Sequence, residues 1–175
     1  MVNQSTIHNK IVVADFFFTK CLGICPKMSS QLQRVQKEFI DDDSILLLSH
    51  TVDPERDSVE TLAEYAGLYE ADPTKWLFLT GSKTDLYHIA RKGYFVTATE
   101  GDGSSEDFIH TEKFVLLDKS GVIRGYYDGT DSLEVNKLMT DIKILQLDYP
   151  SNKKEMVLDR QRSAAEAESR KQNSK

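Results

Sequence analysis

The sequence predicts an α/β fold: a mixed central sheet with helices on both faces. Three observations carry this. Apolar runs of strand length alternate with helix-spaced stripes through the first half, a strand-turn-strand pattern follows near 114–127, and one more amphipathic stripe closes the unit. The 175 residues suit one domain, and 39% hydrophobic with 29% charged residues excludes collagen-like, mucin-like and wholly disordered classes. A net charge of −6 lacks the clustered Lys and Arg that phosphate backbones require, so nucleic acid is not expected as a partner.

Ile11 to Phe18 form a nearly continuous apolar run, the pattern of a central strand covered on both faces. Met28, Leu32, Val35 and Phe39 then make one stripe of a helix expected to start at Pro26. A second run, Ile45 to Leu48, continues to Val52, and Asp53-Pro54 has the form of a helix cap and first turn before Val59, Leu62, Ala63, Ala66 and Tyr69. Trp76 to Leu79 is a third strand. Ser82-Lys83-Thr84-Asp85 has capping-box form ahead of a short helix carrying Leu86, Ile89 and Ala90.

Residues 99–107 are polar and Gly-rich and are expected to form an exposed, mobile loop ending at Phe108-Ile109-His110. Phe114 to Leu117, the turn Asp118-Lys119-Ser120-Gly121 and Val122 to Tyr127 form an antiparallel hairpin. Asp131 ahead of Glu134 marks the start of a last helix with Val135, Leu138, Met139, Ile142 and Leu145 on its buried face. The folded domain is expected over 1–148. Residues 149–175 form a polar tail, with seven Lys or Arg against four Asp or Glu after residue 150 and no aromatic residue to bury, expected to be disordered or a frayed helix. No window approaches the ~20 apolar residues of a membrane span, and the first residues lack a signal pattern, so the chain as it stands is not expected to be an integral membrane protein. Parallel β-α-β units, a hairpin and a cysteine pair at the first strand-to-helix junction together fit a thioredoxin-like fold.

Cys21 and Cys25 are the only cysteines, too few for a disulfide framework. On a continuous helix their Cβ atoms would lie ~5–6 Å apart, whereas a disulfide needs ~3.8 Å. Pro26 pushes the preceding residue out of the helical region, which places Cys25 just ahead of the helix and Cys21 in the loop, with Gly23 permitting a bend between them. The sulfurs can then meet as a disulfide or as two ligands of one ion, and the helix N-terminus favours the thiolate that either chemistry needs. Their shared position around a glycine argues against two unrelated buried cysteines. A structural zinc site is also disfavoured, since no second pair exists. Two thiolates with one imidazole suit copper, as Cu(I) or Cu(II). Of four histidines, His8 and His88 are expected at the surface and His50 as a hydrogen-bonded group inside the second strand. His110, between a loop and a strand, can approach the cysteines and withdraw.

The segment Val13-Ala14-Asp15-Phe16-Phe17-Phe18-Thr19-Lys20-Cys21-Leu22-Gly23-Ile24-Cys25-Pro26 resembles the copper-site motif of the Sco (SenC) proteins, thioredoxin-like copper chaperones of cytochrome c oxidase assembly. Val52 to Asp57 resembles that family's aspartate-proline segment, and Phe108 to Thr111 with Leu117 to Gly121 resembles its histidine and hairpin segments, all in the same order over about residues 10–146. The resemblance implies that Cys21, Cys25 and His110 are copper ligands and Asp53 a nearby acid assisting them. Asp53 can equally be a helix cap. It also implies delivery of copper to the dinuclear centre of oxidase subunit II, other copper chaperones or thioredoxin-like reductants as further partners, and an extracytoplasmic place in the bacterial periplasm or cell envelope, held by an anchor not seen in this chain. Leu22-Gly23 stands where the family often has Pro-Asp or Pro-Thr, which is expected to loosen the loop, and the family's opening hairpin is curtailed.

Three functions compete. The first is a metallochaperone rather than an enzyme, with an open coordination position suited to handing copper on. The second is a thiol-disulfide oxidoreductase, or a redox sensor, in which Cys21 attacks and Cys25 resolves and His110 is dispensable. The third, a peroxiredoxin-like peroxidase, rests only on the likeness of Asp15 to Cys21 to that relative.

Overall fold

In a computed structural model, which describes residues 2–96 and 111–148, the strands are β1 (Ile11–Phe17), β2 (Ile45–Thr51), β3 (Trp76–Leu79), β4 (Lys113–Leu117) and β5 (Ile123–Asp128). The helices are α1 (Gln4–Ile7), α2 (Ile24–Glu38), α3 (Val59–Leu68), α4 (Lys83–His88) and α5 (Ser132–Asp148). The sheet runs β3-β2-β1-β4-β5, parallel across its first three strands and antiparallel at β1-β4 and β4-β5. This is the mixed sheet that the sequence predicts. The expected loop at 99–107, His110 and the tail from 149 lie outside the described residues.

Every residue of β1 and β2 is buried, because both faces are covered. Ile11 pairs with Ile45 and Phe17 with Thr51, so alternate residues of the two strands share a face. On one face Phe17 packs with Cys25, Leu62 and Tyr65 of α2 and α3. On the other, Val12, Ala14, Phe16, Leu46 and Leu48 pack with Leu86, Tyr87, Ala90 and Tyr94, which come from α4 and the turn behind it. Helices therefore lie on both faces.

Three local details depart from the pattern. A four-residue α1, capped by the Asn3 side chain, precedes β1. Residues Ile89–Gly93 widen into a π-helical turn in which Tyr94 N–H donates to the Ile89 carbonyl at 2.8 Å. And α3 is capped by Ser58, whose Oγ accepts the Thr61 N–H at 3.2 Å, not by Asp53. The Asp53 carbonyl accepts the Arg56 and Asp57 N–H groups at 3.1 and 2.9 Å, so 53–57 closes as a separate turn before the helix. In the hairpin, Gly121 takes φ +78, a backbone conformation that disfavours side chains, while the Asp118 carboxyl accepts the Ser120 and Val122 N–H groups.

The fold divides into Met1–Ile142 and Lys143–Lys175. Within the first unit, Val135, Leu138 and Ile142 of α5 are fully buried, and Asp141 accepts the Tyr127 hydroxyl at 2.7 Å. Of the second unit, residues 143–148 are described, as the last turns of α5.

Candidate metal centre

β1 ends at Phe17, the Cys21 N–H closes a turn on the Phe18 carbonyl at 3.2 Å, and α2 begins at Ile24. Cys25 thus lies inside the first helical turn, where the sequence placed it just ahead of a helix beginning at Pro26. The reason is that first-turn N–H groups have no partner within the helix, so the N–H missing from Pro26 costs no hydrogen bond there. Gly23 is the N-cap, with φ −99, and a Cβ added to it would meet nothing within 4 Å. Its φ lies outside the left-handed region that favours glycine.

Both cysteines are unbridged thiols; Cys21 is half-buried and Cys25 is 4% exposed. Burial opposes the Cys21 thiolate, but hydrogen bonds from the Cys25 thiol and from the Cys25, Gly23 and Ile24 backbone outweigh it and hold the Cys21 pKa below the ordinary thiol value. These amides are the free donors of the α2 N-terminus, aimed at one sulfur. Burial pushes the Cys25 thiol up to about 12, reinforced by its bond to Cys21 and by the charges of Cys21 and Asp15, against a lowering bond with the Phe18 backbone. One sulfur is therefore shifted toward its thiolate form and its neighbour toward the thiol.

Sequence reasoning missed the polar groups beneath this pair. Asp15, in the middle of an apolar run, is 1% exposed; its Oδ1 accepts the Ser49 hydroxyl at 2.5 Å, and Ser49 Oγ accepts the Trp76 indole N–H at 2.8 Å. Its Oδ2 has no partner among the described residues, and burial pushes the carboxyl up to about 7 against the Ser49 bond. Tyr65, beside Cys25, shares a 2.9 Å hydrogen bond with Ser29. Burial raises its phenol well above the ordinary range. The one available signal was an acid inside a fully apolar strand.

Asp53 is buried, and its Oδ2 accepts from Arg56 Nη1 at 3.0 Å. His50 projects to the opposite face, stacked on Phe16 at 5.1 Å with Nε2 3.3 Å from the Tyr94 hydroxyl, and burial pushes it down to about 4. It is a structural imidazole, as expected, and His8 and His88 are exposed. His110 lies outside the described residues. Among the described residues no group of three or more His, Cys, Asp or Glu side chains is placed to hold a metal ion, and no helix is long and apolar enough to cross a membrane. What these residues supply is a two-sulfur centre.

Fold and site together define a thioredoxin-like protein with a dithiol at its first strand-to-helix junction. The SCO1/SenC family model matches residues 1–145, and the chain belongs to that family. It is 28% identical over 144 residues to the SCO1 protein homolog of Bacillus subtilis, covering 81% of this chain and 74% of that protein. It is 31% identical over 128 residues to the mitochondrial SCO2 homolog of Mus musculus, 70% of this chain but 49% of that longer protein. Among solved structures, the SCO1/SenC family lipoprotein of Bacillus anthracis superposes with a TM-score of 0.70 at 26% identity, over 81% of this chain and 84% of that one. BsSco, described as a Sco family cytochrome c oxidase assembly protein with a disulfide switch, gives 0.70 at 27%, over 83% and 85%. Copper-bound yeast Sco1 gives 0.59 at 26%, over 79% of each chain.

Proposed function

We propose that this protein is an extracytoplasmic, membrane-anchored copper metallochaperone that delivers copper to the dinuclear centre of cytochrome c oxidase subunit II. Cys21 and Cys25 hold the ion as thiolates, His110 supplies the third ligand from the segment preceding β4, and Asp53 is a nearby acid. The observation that carries the reading is the pair of sulfurs at the α2 N-terminus, with backbone amides stabilising the thiolate at Cys21. Soft sulfur donors suit Cu(I), and a Cys-Cys-His set also accepts Cu(II). Copper bound in a solved relative supports the same choice. Three protein ligands leave a position for an incoming ligand of the client. Other copper chaperones or thioredoxin-like reductants would load or reduce the pair.

The test is an anaerobic titration of the reduced protein with Cu(I) against a competing chelator, for wild type, His110→Ala and the Cys21→Ser/Cys25→Ser double variant. Tight equimolar binding, weakened by His110→Ala and abolished without the cysteines, is expected. Weak binding, or binding indifferent to His110, overturns the reading. A second reading has its own observation: the opposed pKa directions of Cys21 and Cys25 suit an attacking thiolate and a resolving thiol. In that reaction the Cys21 thiolate attacks a disulfide of the oxidase copper site, releasing one client thiolate. Cys25, giving up its proton, then displaces the second, so the client is reduced as Cys21-Cys25 is oxidised.

A further inference from the structure

The aspartate-proline segment reaches the cysteine loop through Asp57, not through Asp53. Asp57 is fully buried. Its Oδ1 accepts the Thr19 hydroxyl at 2.5 Å, and its Oδ2 accepts both the Thr19 N–H at 3.2 Å and the Thr51 hydroxyl. Thr51 Oγ1 in turn accepts the Asp53 N–H at 3.0 Å, and the Val52 N–H donates to the Phe17 carbonyl at 2.8 Å. One carboxyl thus ties the end of β1, the end of β2 and the 53–57 turn together, two residues before Cys21. The cap of α3 is supplied separately by Ser58, so these three bonds are not spent on the helix that follows.

We propose that Asp57 is the positioning residue of the cysteine site: by gripping Thr19 through both backbone and side chain, it fixes where β1 hands over to the loop and holds the Cys21 sulfur against the amides of α2. In the loop from Lys20 to Gly23, Cys21 is half-buried against the Phe17, Cys25, Leu62 and Tyr65 cluster, while Lys20, Leu22 and Gly23 are exposed, Leu22 at 98%, so little packing besides that of Cys21 fixes its path. A grip at its root has a large effect on where its one useful atom sits. The inference rests on the reading of Cys21 and Cys25 as a functional pair, and it holds for copper binding and for dithiol exchange alike.

The experiment compares wild type, Thr19→Val, Thr19→Ser and Asp57→Asn in the full chain. Three quantities are read: the Cys21-Cys25 midpoint potential in glutathione buffers, Cu(I) affinity against a chelator, and the thermal midpoint. Loosening the grip withdraws the α2 amides from the Cys21 sulfur, destabilises the reduced form and favours the disulfide. Thr19→Val is therefore expected to shift the exchange equilibrium about tenfold toward the disulfide, which is about 30 mV more negative. It should also weaken Cu(I) binding about tenfold, the lower end of what outer-shell changes cost at metal sites. Thr19→Ser, which keeps the hydroxyl, should restore both values, and Asp57→Asn should move them in the direction of Thr19→Val. If Thr19→Val lowers the thermal midpoint but leaves the potential at the wild-type value, Asp57 is only structural and the proposal fails. Should wild type itself bind Cu(I) weakly, the copper reading falls, and the potential alone still decides the role of Asp57. Should Asp57→Asn fail to fold, the Thr19 pair decides it.

Discussion

The two faces of the sheet bury the same kinds of atoms to opposite ends. Behind β1 and β2 on the α4 side, His50 is enclosed by Phe16 and Tyr94 and driven by burial toward its neutral form, and burial likewise raises the Tyr94 phenol to about 12. On the α2 side the buried groups are Asp15, Asp57 and Cys25, packed beneath or beside a half-buried sulfur. One face uses burial to silence a side chain, whereas the other uses it to hold protons and hydrogen bonds next to a reactive atom. The difference teaches that burial alone does not mark a site; adjacency to a reachable nucleophile does.

The largest test of this contrast is Asp15→Asn. A carboxyl raised from 3.8 to about 7 is protonated in the fold while the unfolded chain has already ionised. The folded state then binds more protons through that window, so stability falls as pH rises through it. Removing the group should make the variant gain on wild type by about 4 kcal/mol between about pH 4 and about pH 8. The measurement is urea unfolding as a function of pH. A difference that stays flat would show that Asp15 is ionised in the fold and that the α2 face does not store a proton there.

His50 works in the other direction. Its pKa falls from 6.5 to about 4, so between these values the unfolded chain binds the extra proton and stability rises with pH. From about pH 4 to about pH 7 wild type should gain about 3 kcal/mol on His50→Phe. Across the shared window the two faces oppose each other, each with a slope of about 1.4 kcal/mol per pH unit. Wild type should therefore show a nearly flat contribution from this pair, and either single variant should unmask the slope of the other. A double variant no flatter than the singles would break the comparison.

Tyr65→Phe and Tyr94→Phe sharpen it at a smaller scale. The first removes the hydroxyl that Ser29 meets at 2.9 Å beside Cys25, the second the hydroxyl 3.3 Å from His50. Each should cost about 1 kcal/mol in thermal unfolding. Tyr94→Phe should leave the Cys21-Cys25 potential unchanged, and Tyr65→Phe should shift it, because Tyr65 shares a buried cluster with Cys25 and feels its charge. Equal potentials in both variants would place Tyr65 outside the chemistry.

Much of this was legible in the sequence because the strands are apolar runs and the helices carry clean stripes. β1, β2, β3 and the hairpin lie where those patterns put them, and the cysteines sit on the junction they marked. The face each strand residue takes was not legible. In fully buried strands both parities are apolar, so nothing along Ile11 to Phe17 separates the α2 side from the α4 side. The Asp57 grip was invisible for a related reason: its partner Thr19 lies 38 residues away, and one sequence carries no record of such pairs. Asp53 drew attention because proline follows it. A local cue was present there, whereas the residue that reaches the loop had none.

The smallest expected effect is at Gly23, between the cysteines. Its φ of −99 lies outside the left-handed region and a Cβ would meet nothing within 4 Å, so Gly23→Ala meets no clash. Alanine is a poorer N-cap than glycine by several tenths of a kcal/mol, but it also narrows the unfolded ensemble by about 0.4–1 kcal/mol. These terms oppose each other, and the thermal midpoint should imply a change within about 0.5 kcal/mol. A midpoint that falls far beyond this would mean that the loop needs a conformation only glycine can take, and that its path is set locally. A near-neutral result leaves the path to be fixed from its root at Thr19, where the two faces' difference begins: a buried acid that holds a loop, rather than a buried base held still.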